Sequence, residues 1–344
     1  MPTAGVHYPS SYADLLAWFP DDAACLDYLE WLRWSQGFVC PHCTSKECWV
    51  MGGGARRCVG CRRRISVTAR TIFDKTRTPL TVWFAAGWFL TTQKNGVSAL
   101  ALKQMLGFGS YQTAWAMLHR YRSVMVRPGR ERLHGYVEMD ESFLGAPKPG
   151  KRGRGATGKV LIAIAIEHAG TTNLGRARVG VVENARAPEL RRFLLENVEP
   201  GATLITDGLR SYPTAVGTTY THEPINVKGS DQSAHETLPG VHRVASLIKR
   251  WQLGTHQTSI EADHITAYLN EFCFRFNRRH SRSRGMLFFR LMELAVDAPP
   301  VTYRSLVVSP TVKKRRPSPP GSRGKPQSLV RTPVRRPWRA AELG

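Results

Sequence analysis

The sequence predicts a multidomain α+β chain. Three observations carry that reading: two Cys-x-x-Cys pairs near the N-terminus, a run of short helical segments behind them, and then strands of period two followed by amphipathic helices. The chain has 344 residues, 42% of them hydrophobic, which is enough for several cores and too much for wholesale disorder. Lys and Arg number 49 against 26 Asp and Glu, a formal charge of +23 that argues against an ordinary metabolic enzyme. The longest apolar run, around Val82 to Leu90, is interrupted by Gly87 and falls well short of the ~18 residues a membrane span needs, so no membrane partner is expected. MPTAGVHYPS lacks the basic and apolar regions of a secretory signal, and five of the seven cysteines crowd between Cys40 and Cys61. Reduced thiols and a cytoplasmic address are expected.

The charge is not spread evenly. Residues 1–36, expected as an N-terminal helical segment, carry −4; residues 37–136 carry +13; residues 137–300 carry +4; and residues 301–344 carry +10. Charge gathered in one block and one tail points to a polyanionic partner, and nucleic acid is the leading one. The tail, rich in Pro, Gly, Ser and Arg with no apolar period, is expected to be basic and disordered.

Residues 37–70 read as a zinc ribbon. Cys40-Pro-His-Cys43 and Cys58-Val-Gly-Cys61 are separated by fourteen residues, a spacing that presents four thiolates tetrahedrally to Zn²⁺. The intervening WVMGGGARR reads as a hairpin that returns the second pair to the first. So short a segment has little core of its own, so metal binding would supply its folding free energy. His42 and Cys48 lie off the pattern, and Cys25 and Cys273 read as plain core residues.

Residues 71–134 read as a helix-turn-helix region. Thr78-Pro79 opens an apolar helix that ends near Asn95-Gly96, Ser98 caps a second helix that stops at Gly107, and a third begins at Tyr111. On the third, Ala114, Met117, Leu118 and Tyr121 recur at core spacing, which leaves Gln112, Thr113, Arg120 and Arg122 facing outward toward a DNA major groove. A plain helical packing unit has the same pattern, and the +13 of this stretch is what favours DNA.

From residue 135 to 300 the pattern is YVEMDESFLG, VLIAIAIE and RARVGVVEN as strands, a helix from Pro188 to Val198, and the strand ATLITDG. Three strands, a helix and a further strand, with acids at strand ends, resemble an RNase-H-like α/β domain with a mixed sheet. Val137 and Met139 share one face of their strand, so Asp140 shares the other with Glu138 and Ser142, and Asp207 ends the later strand. Two carboxylates from neighbouring strands can hold a pair of divalent cations, Mg²⁺ or Mn²⁺, for chemistry at phosphorus. A helix beginning at Pro239 buries Val244, Leu247, Ile248 and Trp251 and aligns His242, Ser246 and Lys249 on another face. The loop GAPKPGKRGRGATGK carries five Gly and five cations, Lys151 and Arg152 among them, suited to phosphate contact or simply exposed. A last helix packs Ile265, Tyr268, Leu269, Phe272 and Phe276. Arg275, Asn277, Arg278 and Arg279 at its end either touch DNA or complement the helix dipole.

Taken together, DDAACLDYLEWLRWSQGFVCPHC, the second CxxC, GYVEMDESFLG, ITDGLRSYP, VHRVASLIKRWQLGTHQ and AYLNEFCFRFNRR resemble the ISXO-like insertion-sequence transposases, which join an N-terminal zinc ribbon to an RNase-H-like DDE domain. The resemblance implies Asp140 and Asp207 as the first two metal-binding acids and Lys249 as the DNA-positioning cation seven residues after the third metal-binding position. That position is usually Glu or Asn, and here it is His242, as in a His-bearing branch. A neutral imidazole lowers the negative charge of the site and favours Mn²⁺ relative to Mg²⁺. The resemblance further implies binding to terminal inverted repeats and target DNA, metal-dependent strand cleavage and strand transfer, a homodimer or larger assembly, and a nucleoid-associated life in a bacterium. The rival reading is a catalytically inactive, domesticated sequence-specific DNA-binding regulator.

Overall fold

The computed structural model describes residues 2–52, 54–127, 129–145, 159–168, 174–225, 238–257 and 260–307. Lys151 and Arg152, most of their glycine-rich loop, and the basic tail from Ser309 lie outside the described residues. Two compact units emerge: Met1–Trp88 together with the segment from Ser283, and the central Phe89–Arg282. These limits differ from the boundaries expected from the sequence, because the residues after Ser283 pack with the N-terminal ones.

In the first unit, helix α1 (Tyr12–Trp18) opens on a capping box between Ser11 and Asp14, and α2 (Asp22–Arg33) on Asp21, whose carboxylate accepts the Ala24 amide at 2.9 Å. One face of α2 buries Cys25, Tyr28, Leu29 and Leu32. The ribbon follows as an antiparallel sheet of β1 (Cys48–Met51), β2 (Ala55–Cys58) and β3 (Arg64–Ser66). Helix α3 (Leu80–Thr92) supplies Trp83 and Phe84 to an aromatic core, with Phe84 edge-on to Phe19 at 4.7 Å. The predicted last residues of the central domain also belong here. Phe288 and Phe289, on a helix spanning Gly285–Asp297, are fully buried, with Phe288 against Phe84 and Phe289 against Tyr8. Any side chain at Gly285 would collide with the Pro9 carbonyl.

In the central unit, α4 (Ala99–Leu106) is capped by Ser98 and ends on Gly107 at φ 67°, and α5 (Tyr111–Val124) is capped by Ser110. The five-stranded sheet contains β4 (Tyr136–Leu144), β5 (Val160–His168), β6 (Leu174–Val181), β7 (Thr203–Thr206) and β8 (Thr221–Pro224), in the order β6-β5-β4-β7-β8. The first three strands pair antiparallel, and β7 and β8 run parallel to β4. Helices α6 (Ala187–Asn197) and α7 (Tyr212–Val216) cover one face, where Val137, Met139, Ala163 and Ala165 meet Leu190, Phe193 and Tyr212. The other face is covered by α8 (Pro239–His256) and α9 (Ile265–Phe276), where Ile162, Ile164 and Ile166 meet Val244, Ile248, Leu269 and Phe272. β5 is apolar on both faces because it is covered on both. This is the RNase-H-like mixed sheet expected from the sequence. α10 (Gly285–Asp297) and α11 (Tyr303–Val307) complete the described helices.

Candidate active site and metal centre

The ribbon brings its four cysteines together. The Sγ atoms of Cys40, Cys43, Cys58 and Cys61 all lie within 4.8 Å of one another, with Cys40–Cys61 at 3.6 Å and Cys43–Cys58 at 3.4 Å. β1 and β2 form the hairpin that returns the second pair to the first, with Cys48 opposite Cys58. Each knuckle aims a backbone amide at sulfur, His42 N to Cys40 Sγ at 3.4 Å and Cys61 N to Cys58 Sγ at 3.5 Å. The residue after each CxxC, Thr44 and Arg62, turns back with φ of 61° and 56°. Hydrogen bonding from the Cys61 amide, with its neighbouring thiols, holds the Cys58 thiol down to about 6, favouring the thiolate that ligates metal. Phe38 and Ile65 are the other buried hydrophobics in this cluster, so the donor set and the thin core both fit a structural Zn²⁺.

The parallel pairing of β4 with β7 brings the two aspartates to neighbouring strands, Asp140 within β4 and Asp207 directly after β7. Val137 faces Leu204 and Glu138 faces Ile205, and Asp140 and Asp207 each follow the last of these paired residues by two. Both are half-buried. Asp140 Oδ1 accepts the Glu141 amide at 2.7 Å, and Asp207 Oδ1 accepts the Leu209 amide at 3.0 Å across a turn that Gly208 completes at φ 74°. Beneath them Tyr212 is fully buried and donates to Glu141 Oε1 at 2.7 Å. Burial, and then the carboxylates of Glu141, Asp140 and Asp207, push its hydroxyl well above the ordinary tyrosine range, so it stays a proton donor. Glu141 and Tyr212 were not singled out from the sequence; the placing of Asp207 five residues before Tyr212-Pro213 was the available signal.

His242 sits in the first turn of α8, half-buried, and that turn is fixed by an acid on the same strand as Asp140. Leu238 gives no side-chain cap; instead Glu138, 1% exposed, accepts the Val241 amide at 2.8 Å and bonds His168 Nε2 at 2.7 Å. Gly240 is required there, since a Cβ would stand 2.8 Å from Glu138 Oε2. One β4 face thus presents Asp140 and anchors the helix that carries His242. Among the described residues, the four thiols are the group of three or more His, Cys, Asp or Glu ligand atoms lying within 4.8 Å of one another; Asp140, Asp207 and His242 do not close to that distance.

Family comparison matches residues 132–277 to the ISXO2-like transposase domain and residues 20–64 to the transposase zinc-ribbon domain. The chain carries an ISXO2-like transposase domain behind a transposase zinc ribbon. Comparison with curated proteins gives no match. Asp140, Asp207, His242 and Lys249 all fall within the matched transposase domain, and the four cysteines within the matched ribbon.

Within the transposase domain Lys249 is exposed, two turns along α8 from His242. Gln112 and Thr113 are exposed in the first turn of α5, and Arg120 is half-buried. Arg122 is a correction. It was expected to face outward, but it is 1% exposed, paired with Glu271 at 2.8 Å and stacked 4.0 Å over Tyr268, because α5 packs along α9. The residues ending α9 are also taken up internally. Arg275 pairs with Glu271 and donates to Lys94 O, and Asn277 bonds the amide and carbonyl of Ala177 at 2.7 and 3.0 Å, occupying the open edge of β6. Arg278 and Arg279 lie 4.1 and 4.0 Å over Phe274 and Phe276. Among the described residues no helix is long and apolar enough to cross a membrane.

Proposed function

We propose that the chain is the DNA transposase of an insertion sequence, which binds the terminal inverted repeats of its element and carries out metal-dependent phosphodiester hydrolysis and strand transfer. The observation that supports this is the β4–β7 pairing, which brings the strands bearing Asp140 and leading into Asp207 together within a matched transposase domain.

Asp140, Asp207 and His242 would hold divalent cations, Mg²⁺ or Mn²⁺, which when bound activate an attacking oxygen and stabilise a leaving one at phosphorus. The protein's own part is placement. β4 and β7 fix the two carboxylates, Tyr212 keeps Glu141 hydrogen-bonded alongside them, and the Glu138 clamp fixes the turn bearing His242. Lys249, on exposed α8 surface, meets a DNA phosphate as a point charge. Gln112 and Thr113 enter a major groove from the N-terminus of α5, with Arg120 and the loop cations Lys151 and Arg152 adding phosphate contacts. The ribbon, folded by Zn²⁺, contributes to duplex binding. Because two element ends are joined to one target, the working form is a homodimer or a larger assembly, in the bacterial nucleoid.

The test is cleavage of a duplex carrying the element end. Purified protein with Mg²⁺ or Mn²⁺ nicks at the 3′ end, with Mn²⁺ the better supporter, and Asp140→Ala and Asp207→Ala abolish nicking while retaining duplex binding. Specific binding with no cleavage under either metal would instead establish the DNA-binding regulator.

A further inference from the structure

The outer face of the ribbon sheet carries a ladder that the transposase reading does not use. In the register of the three strands Trp49 is opposite Arg57, and Arg57 is opposite Arg64. Directly paired residues project on the same side of a sheet, so the three side chains form one row about 10 Å long across all three strands. The opposite face is the inner one: Cys58 and Ile65 are buried there, and Arg56 turns inward to pair with Glu30. Trp49 is 51% exposed, and Arg57 and Arg64 are exposed and form no ion pair among the described residues. Met51, two residues along from Trp49, extends the same face, and Glu47, two residues before Trp49, stands at its other end.

We propose that this face binds single-stranded DNA, with Trp49 stacking on an unpaired base and Arg57 and Arg64 following the backbone. A tryptophan held half-exposed on a short, metal-fastened sheet presents a rigid π surface with no ring stacked on it among the described residues. Bases inside a duplex already have both faces stacked, whereas an unpaired base has one to offer, and stacking beside cations is how sequence-tolerant single-strand binding is built. Charge complementarity points the same way: Arg57 gives one N–H to the Arg62 carbonyl at 3.4 Å, and neither it nor Arg64 is ion-paired among the described residues. The site adds to duplex recognition and does not depend on cleavage.

The experiment uses the full, zinc-loaded chain with Asp140→Ala, so the outcome is separate from catalysis, and measures anisotropy of a labelled oligo-dT and of a duplex of equal length. Trp49→Ala lowers oligo-dT affinity by about 5- to 100-fold, and Trp49→Phe retains most of it. Arg57→Gln with Arg64→Gln reduces the salt slope on oligo-dT by about 1.4. Duplex affinity changes by less than about twofold in every variant, a margin small beside the stacking effect. Unchanged oligo-dT binding in Trp49→Ala and in the double Gln variant overturns the proposal. Equal losses on duplex and single strand also overturn it, by assigning the face to duplex binding. Zinc content measured on each variant identifies any that fail to fold, and the two exposed Arg→Gln changes keep the test decisive in that event.

Discussion

Glu138 Oε2 accepts the backbone amide of Val241 at 2.8 Å, so a strand caps a helix more than a hundred residues away in sequence. The first amides of a helix have no partner within it, and a carboxylate there also meets the positive end of the helix dipole. Because Asp140 follows Glu138 by two residues on the same strand face and His242 follows Val241, this bond couples the position of one proposed ligand to that of another.

Removing the clamp is expected to cost both stability and activity. Glu138→Ala leaves the α8 amide and His168 without their acceptor, a loss of about 1.5–3 kcal/mol, whereas Glu138→Gln keeps the shape and loses less. Gly240→Ala forces a Cβ against Glu138 Oε2 and destabilises by about 1–3 kcal/mol. Denaturant melts measure both. A cleavage assay at a temperature where the variants stay folded should show Glu138→Ala slower than Glu138→Gln.

The Arg122–Glu271–Arg275 cluster fastens α5 to α9. Glu271 is fully buried and holds Arg122 at 2.8 Å and Arg275 at 3.2 Å. Glu271→Ala strands two buried guanidinium groups and is expected to destabilise by about 3–5 kcal/mol. A double-mutant cycle with Arg122→Met should recover part of that loss; full additivity would show that the two charges are not coupled.

Acid should loosen the same region. Burial, reinforced by the charge of Arg122, holds His119 down to about 2 and His256 down to about 4, both below the ordinary ~6.5. Below pH ~6.5 the unfolded chain takes up protons that the folded chain refuses, so stability falls with pH from there, with His256 ceasing to contribute below about 4 and His119 below about 2. Melting temperature followed from pH 7 to 5 should drop, and His119→Phe, which cannot be protonated, should flatten the slope. An unchanged slope would locate the acid sensitivity elsewhere.

Chelation should act on the ribbon. Beyond its thiols the ribbon has a thin core centred on Phe38 and Ile65, so removing Zn²⁺ or substituting Cys58→Ser is expected to unfold residues around 38–66. Hydrogen exchange should show loss of protection across β1 to β3 with the β4–β7 pairing retained, and added Zn²⁺ should restore it in the wild-type chain.

Much of this was legible in the residues. Two CxxC pairs can be satisfied by few arrangements, and alternation in YVEMDESFLG and VLIAIAIE assigns faces, so Asp140 and the inward Val137 and Met139 follow from a period of two. That His242 and Lys249 share a helix face follows from two helical turns, whereas their roles rest on the family resemblance. Arg122 and Arg275 did not follow from spacing, because an arginine at a nominally outward position is indistinguishable from a buried one until the helix packed against it is known. Nor did Glu138, whose partner is a backbone amide far along the chain, or Asn277, which serves a strand edge.

By itself the sequence determined the metal-thiolate module, the strand faces, the helical registers and the concentration of positive charge, because each rests on local spacing or on composition. Only the tertiary structure decided that β4 pairs with β7, that Glu138 caps α8, that Arg122 is consumed by Glu271, and that the helix after Ser283 belongs with the N-terminal unit. Each of these is a pairing between segments distant in the chain. Such pairings are selected by burial and by the need of every buried polar group for a partner, and no local pattern records which partner it will find.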